Sequence, residues 1–155
     1  MRILIAAVGR PRDAALAAAI REYEQRATRY WPLEVVEVKE VSGRRGAEVA
    51  REEEARHLLS ALPDGSRLVL CDERGAGYTS AEFAQFVQNE RERAAEDLVF
   101  VVGGAFGVGR AIRDRAWRAL ALAPWTLPHE LARLVLSEQL YRAGTLMRGE
   151  KYHKA

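Results

Sequence analysis

Five short apolar or alternating runs, separated by helix-length segments, constrain this chain more than any other feature. They are Ile3 to Val8, Leu33 to Lys39, Arg67 to Asp72, Leu98 to Val102 and Leu120 to Ala123. Strands that alternate with helices argue an α/β fold, a mostly parallel sheet flanked by helices. The first and fourth runs are continuously apolar, as strands buried on both faces are, and the fourth is placed centrally. The second alternates and reads as a half-solvated strand nearer an edge.

The intervening segments carry helix signals. Asp13 is an N-cap in front of an alanine-rich helix reaching about Tyr30, and Pro32 stops it. Ala47 to Leu62 reads as a charged helix. Thr79 and Glu82 form a capping box before a helix to about Ala95. A helix is expected over about Arg110 to Arg118, and another over Leu131 to Met147. Glu73 to Tyr78, with two glycines, reads as a loop, and so does the irregular stretch Pro124 to Pro128.

The chain of 155 residues is the size of one domain, and one domain over 1–155 is expected. No apolar stretch approaches the roughly 20 residues that span a bilayer, and the opening run lacks the cleavage site of a signal peptide. Cytoplasm is therefore the expectation. The lone Cys71 excludes an internal disulfide and reads as a packed thiol. His57, His129 and His153 lie far apart and no cysteine pair exists, so no metal is expected. No G-x-S-x-G nucleophile motif occurs.

Three places could carry chemistry. The first is the glycine-rich loop Gly103 to Gly109 after the central strand, where ligands of open α/β sheets bind. Glycines that merely turn the chain are the alternative. A Rossmann fingerprint and a P-loop are both absent, which disfavours a di- or triphosphate cofactor. A ligand read by backbone and apolar contacts fits better. The second is Leu122 to His129, whose two prolines forbid regular pairing and could form a rigid shelf for a flat ring, or only a stiff connector. His129 reads as a cap or packing residue. The third is the C-terminal segment. Glu138 and Arg142 stand four apart on one helix face, usually an ion pair and nothing more, yet beside an apolar stripe. Beyond them come Lys151, Tyr152, His153 and Lys154, a tail that either frays or clamps a base and its phosphate.

Taken together, these residues resemble the ribosomal RNA large-subunit methyltransferase H family, small enzymes of the SPOUT class. The resemblance runs through Ile5 to Gly9, Gly43 to Gly46, Val102 to Gly104 with Gly107, Thr126 to His129, Ser137 to Ala143 and Tyr152-His153. Two departures stand out. The family often has Pro-Glu-Gly where this chain has Ala105-Phe106-Gly107, and often arginine where it has Lys154.

The resemblance implies a SPOUT-type fold with a C-terminal trefoil knot, a homodimer and S-adenosyl-L-methionine as cofactor. It implies methylation of N3 of a pseudouridine in 23S rRNA on the assembled ribosome. The modest net charge of +2 agrees with a substrate selected by shape more than by phosphate attraction. Carried over by position, the cofactor would lie against Leu70, Cys71 and Asp72, against Gly103 and Gly104, and against Leu122, Ala123, Pro124, Trp125, Thr126 and Leu127. His153 is the first candidate base and Glu138 the second. Arg142 would hold a phosphate or the ring carbonyl oxygens, and Tyr152 would stack on the flipped base. Lys154 would touch the RNA backbone, and the basic loop at Arg44 and Arg45 would be an RNA anchor. A non-catalytic ribosome-binding factor, anchored by that same loop, is the competing reading. A flavodoxin-like nucleotide module is a third.

Overall fold

A computed structural model of the chain describes residues 1–93 and 95–152. His153 and Lys154 lie outside the described residues. Five parallel strands form one sheet in the order β2-β1-β4-β3-β5. They are β1 (Ile3–Val8), β2 (Leu33–Val38), β3 (Arg67–Gly77), β4 (Leu98–Val102) and β5 (Arg118–Ala121). The helices are α1 (Ala14–Ala27), α2 (Ala47–Ala61), α3 (Ser80–Arg93), α4 (Arg110–Arg115) and α5 (His129–Met147).

The period of two along a strand sorts the core into two layers. Ile3, Ile5, Leu98, Phe100 and Val102 face α1, α3 and α5 and pack with Leu136 and Leu140. Leu4, Ala6, Val8, Val99 and Val101 face α2 and α4 and pack with Leu58 and Ile112. Every residue of β1 and β4 is buried, as their unbroken apolar runs require. β2 lies at an edge, where its alternation belongs.

The structure corrects several expected boundaries. β3 does not stop at Asp72. Its pairing with β5 shifts register between Cys71 and Ala76 and resumes to Gly77, so Glu73 to Gly77 is bulged strand and not loop. β5 begins at Arg118 and ends at Ala121, two residues earlier than expected, because the Trp117 amide already donates to the Leu68 carbonyl at 2.8 Å. α4 is correspondingly short, its C-cap Ala116 being extended. α1 ends at Ala27, three residues before Tyr30, and α5 opens at His129 with Pro128 as its N-cap. The expected loop at residues 43–45 is a single 3-10 turn capped by the Ser42 hydroxyl. No helix among the described residues is long and apolar enough to cross a membrane.

α5 is tied to the sheet edge by a buried cation. Arg133 is 6% exposed and donates to Glu24 of α1 at 2.8 Å and to Glu37 of β2 at 2.6 Å. Removing one partner of a buried ion network leaves uncompensated charge. Arg133→Ala is therefore expected to lower unfolding free energy by about 3–5 kcal/mol in urea titration.

Candidate active site

The carboxyl ends of β3, β4 and β5 surround a cleft of about 770 Å³. Cys71 and Asp72 contribute from β3, and Gly103 and Gly104 from the loop after β4. Leu122, Ala123, Trp125, Thr126 and Leu127 close it from the segment after β5. These positions, far apart in sequence, are thus brought to one place. Two expected neighbours are not. Leu70 is 2% exposed and packs in the core beside Leu68 and Ile112, because alternation turns it to the sheet face away from Cys71. Pro124 is exposed and does not line the cleft.

Val102 at the end of the central strand, Val108 in the glycine loop and His129 at the end of the proline-flanked segment also line the cleft, whereas Glu73, Arg74, Arg113 and Ala132 line it without having carried a signal in the sequence. Glu73 and Arg74 lay in the presumed loop. Arg113 is one of several arginines around a short helix, and only the fold turns it toward Asp72.

The polar groups of the cleft are largely committed. Asp72 accepts from Arg113 at 2.5 Å and from the Arg74 amide at 2.9 Å. Hydrogen bonds from Arg74, followed by the Arg113 contact, hold the Asp72 carboxyl well below the usual range, against the opposing effect of burial. Thr126 donates its hydroxyl to Glu73 and so braces the proline-flanked segment against the β3 bulge. Burial pushes the Cys71 thiol up to about 12, although the residue as a whole is only half-buried. It is a neutral wall group and a poor nucleophile.

What remains free is apolar surface and backbone. Val102, Val108, Leu122, Leu127 and Ala132 supply the first. Gly103 to Gly107 supplies the second, folded back by an antiparallel bridge between Gly104 and Gly107. Gly107 has φ of +88°, which a side chain would resist. Trp125 stands at the mouth, 76% exposed. The two cations of the cleft, Arg74 and Arg113, are both spent on Asp72, so nothing is arranged for a polyphosphate. An adenine ring held by backbone groups and apolar walls fits, and so does the flexible chain of a sulfonium amino acid.

Behind the glycine loop lies a feature that the sequence hid. Glu54 belongs to the run Glu52-Glu53-Glu54, which looks like a solvated helix face, yet it is 2% exposed. One carboxyl oxygen accepts from the Val41 amide at 3.0 Å. The other has no partner among the described residues and lies 3.4 Å from where a Cβ on Gly104 would stand. Burial pushes this carboxyl up.

The expected catalytic residues of α5 and the tail form a separate cluster. Arg142 donates to Glu138 Oε1 at 2.6 Å and 3.0 Å. The Tyr152 hydroxyl donates to the same oxygen at 3.0 Å, and the guanidinium lies 4.8 Å from the Tyr152 ring centroid. Burial, then hydrogen bonding with Tyr23 and Glu138, holds the Tyr152 phenol above its ordinary range, so it is a neutral donor. Its ring packs on Tyr141 at 4.5 Å. The expected i,i+4 ion pair is present and half-buried, with side chains 19% and 26% exposed. None of the three lines the cleft. At 1.5 Å per residue, Glu138 lies roughly 9 Å and Arg142 roughly 15 Å along α5 from Ala132. Arg44 and Arg45 are exposed on the 3-10 turn, and Arg45 is engaged by Glu53 at 2.5 Å. Among the described residues no group of His, Cys, Asp and Glu could hold a metal ion.

The cleft lies at the carboxyl ends of a parallel α/β sheet, where proteins of this class bind their ligands. The family model described as predicted SPOUT methyltransferase matches residues 1–153, and the chain belongs to that family. The ribosomal RNA large subunit methyltransferase H of Gemmatimonas aurantiaca is 56% identical over 155 residues, covering 99% of this chain and all of that one. Its counterpart in an Anaeromyxobacter species is 49% identical over 154 residues, with 99% and 100% covered. A solved structure described as a probable rRNA-methyltransferase from Porphyromonas gingivalis shares the fold, with a TM-score of 0.51 at 16% identity over 95% of this chain and 69% of that one.

Proposed function

We propose that the chain methylates N3 of a pseudouridine in 23S rRNA on the assembled ribosome, with S-adenosyl-L-methionine as methyl donor. The observation that carries this is the cleft itself: apolar walls and glycine backbone at the ends of β3, β4 and β5, with its carboxylates already satisfied. Relatives named ribosomal RNA large subunit methyltransferase H cover 99% of the chain, which supports an rRNA substrate.

When bound, the cofactor supplies an electrophilic methyl group on a sulfonium. Val102, Leu122 and Leu127 would hold its apolar parts, and the Gly103-Gly104 backbone would receive its polar edges. The protein's task is alignment, which can remove several kcal/mol of barrier. The chain's own residues would hold N3 of the base in line with that methyl and take the N3 proton on a protein base. Both Glu138 oxygens are already occupied, by Arg142, Tyr152 and Gln139. Glu138 therefore organises the cluster, and His153 next to Tyr152 remains the candidate acceptor. Lys154 is assigned to the RNA backbone.

The distance along α5 between cleft and cluster favours a homodimer in which the cluster of one subunit serves the cleft of the other. A C-terminal knot belongs to the same reading, as the SPOUT family implies. Purified ribosomes lacking the modification, incubated with the protein and labelled cofactor, are expected to gain one methyl per large subunit. Folded protein that binds cofactor and transfers no methyl to any rRNA would remove this reading in favour of a ribosome-binding factor.

A further inference from the structure

Phe106 stands between two clefts of similar size. Ala105 and Gly107, its neighbours, line the cofactor cleft, while Phe106 lines a second cleft of about 770 Å³ beyond the ends of β1 and β2. Its ring presses on Gly43, where a Cβ would stand 2.6 Å from Cζ. The Val41 amide, on the wall of the second cleft, is fixed from below by buried Glu54. The second cleft is therefore built on held backbone.

Its charged lining is three cations and two carboxylates, an excess of one positive charge. Arg10, Arg12 and Lys39 line it and are exposed. The two carboxylates on its wall are committed, Glu37 to Arg133 at 2.6 Å and Glu40 to Arg12 at 2.5 Å. Arg10 and Lys39 form no ion pair among the described residues, and neither does Arg44 just beyond the rim. Exposed cations without an ion-pair partner are free to meet a polyanion. They come from three separate segments (the β1–α1 loop, the end of β2 and the 3-10 turn) and so line a path more than they converge on one point.

We infer that this second cleft is the groove for the sugar–phosphate backbone of the RNA flanking the methylated nucleotide. The inference rests on the rRNA-methyltransferase reading. A nucleotide presented to the cofactor cleft remains joined to its neighbours, and the adjoining cationic path runs where they can lie.

The test is the charge-reversed double variant Arg10→Glu with Lys39→Glu, both on exposed positions, compared with Arg10→Lys with Lys39→Arg. Affinity for a large-subunit rRNA fragment is read by fluorescence anisotropy across salt concentrations, cofactor affinity by calorimetry. The reversed variant is expected to bind the fragment about tenfold or more weakly, with a log–log salt slope shallower by about 1.5 to 2. The conservative variant stays near the wild type, since point charge suffices for phosphate. Cofactor affinity is the same in all three. Equal RNA affinities and equal slopes for reversed and wild-type proteins would overturn the groove. A wild type that methylates no rRNA while the reversed variant still loses RNA affinity would sink the catalytic reading and leave the groove standing.

Discussion

Gly75→Ala is expected to lose about 3 kcal/mol of unfolding free energy and to bind S-adenosyl-L-methionine at least about tenfold more weakly. A Cβ at this position would stand 2.5 Å from the Ala119 carbonyl carbon and 2.6 Å from the Leu120 amide nitrogen. These are backbone atoms of β5, so no rotamer change relieves the contact. Strand β5 has to move, or the β3 bulge has to open. Either motion displaces Leu122 to Leu127, which follow β5 directly and form one wall of the cleft. The Thr126 contact to Glu73 spans the same two segments and would be pulled apart with them. Urea unfolding measures the first effect and calorimetry the second. By contrast, alanine at Gly65 meets nothing within 4 Å, and only its positive φ opposes it. Gly65→Ala is the matched control, because it strains a turn far from the cleft.

Arg142→Ala is expected to lower the methyl-transfer rate about 10²- to 10³-fold while leaving cofactor affinity within about twofold, the size of effect seen when one preorganised donor is removed. The guanidinium uses Nε and one terminal nitrogen on Glu138 Oε1 and lies flat enough to sit over the Tyr152 ring. It thereby holds a carboxylate and an aromatic together. Arg142→Lys keeps the charge and loses the planar fork, so it rescues little. Single-turnover rates on unmodified ribosomes, read beside cofactor affinity, separate this from a structural defect, since the cleft proposed for the cofactor is lined by Ala132 and Arg142 lies roughly 15 Å along α5 from that residue. A rate unchanged by Arg142→Ala would take the cluster out of the chemistry.

The sequence made the sheet largely readable for a plain reason. β1 and β4 are buried on both faces and show it as unbroken apolar runs, and β2 shows its half-exposure as alternation. The extension of β3 is invisible in Glu73 to Gly77, which has no apolar pattern and two glycines that imitate a turn. Its strand character comes from pairing with β5 after the bulge. β5 itself opens on charged Arg118, which an edge strand tolerates because one side is solvated.

The candidate site divides in the same way. Glycines and prolines mark backbone exposed at strand ends, and those loops do converge on one cleft. Leu70 sits below the strand end and turns into the core beside Leu68 and Ile112, so it does not reach the cleft that Cys71 and Asp72 line. Glu54 was hidden inside an acidic run, and only the packing of α2 on the sheet shows that it is buried. The separation of cluster from cleft could not be read either, since helical spacing says which residues share a face and nothing about which cavity that face meets.

The most direct measurement is calorimetric titration of the folded protein with S-adenosyl-L-methionine, run beside Gly75→Ala. Binding on the order of micromolar by the wild type, markedly weakened in the variant, is the predicted result. A wild type that is folded by circular dichroism and gives no binding heat at several temperatures would contradict the assignment of this cleft.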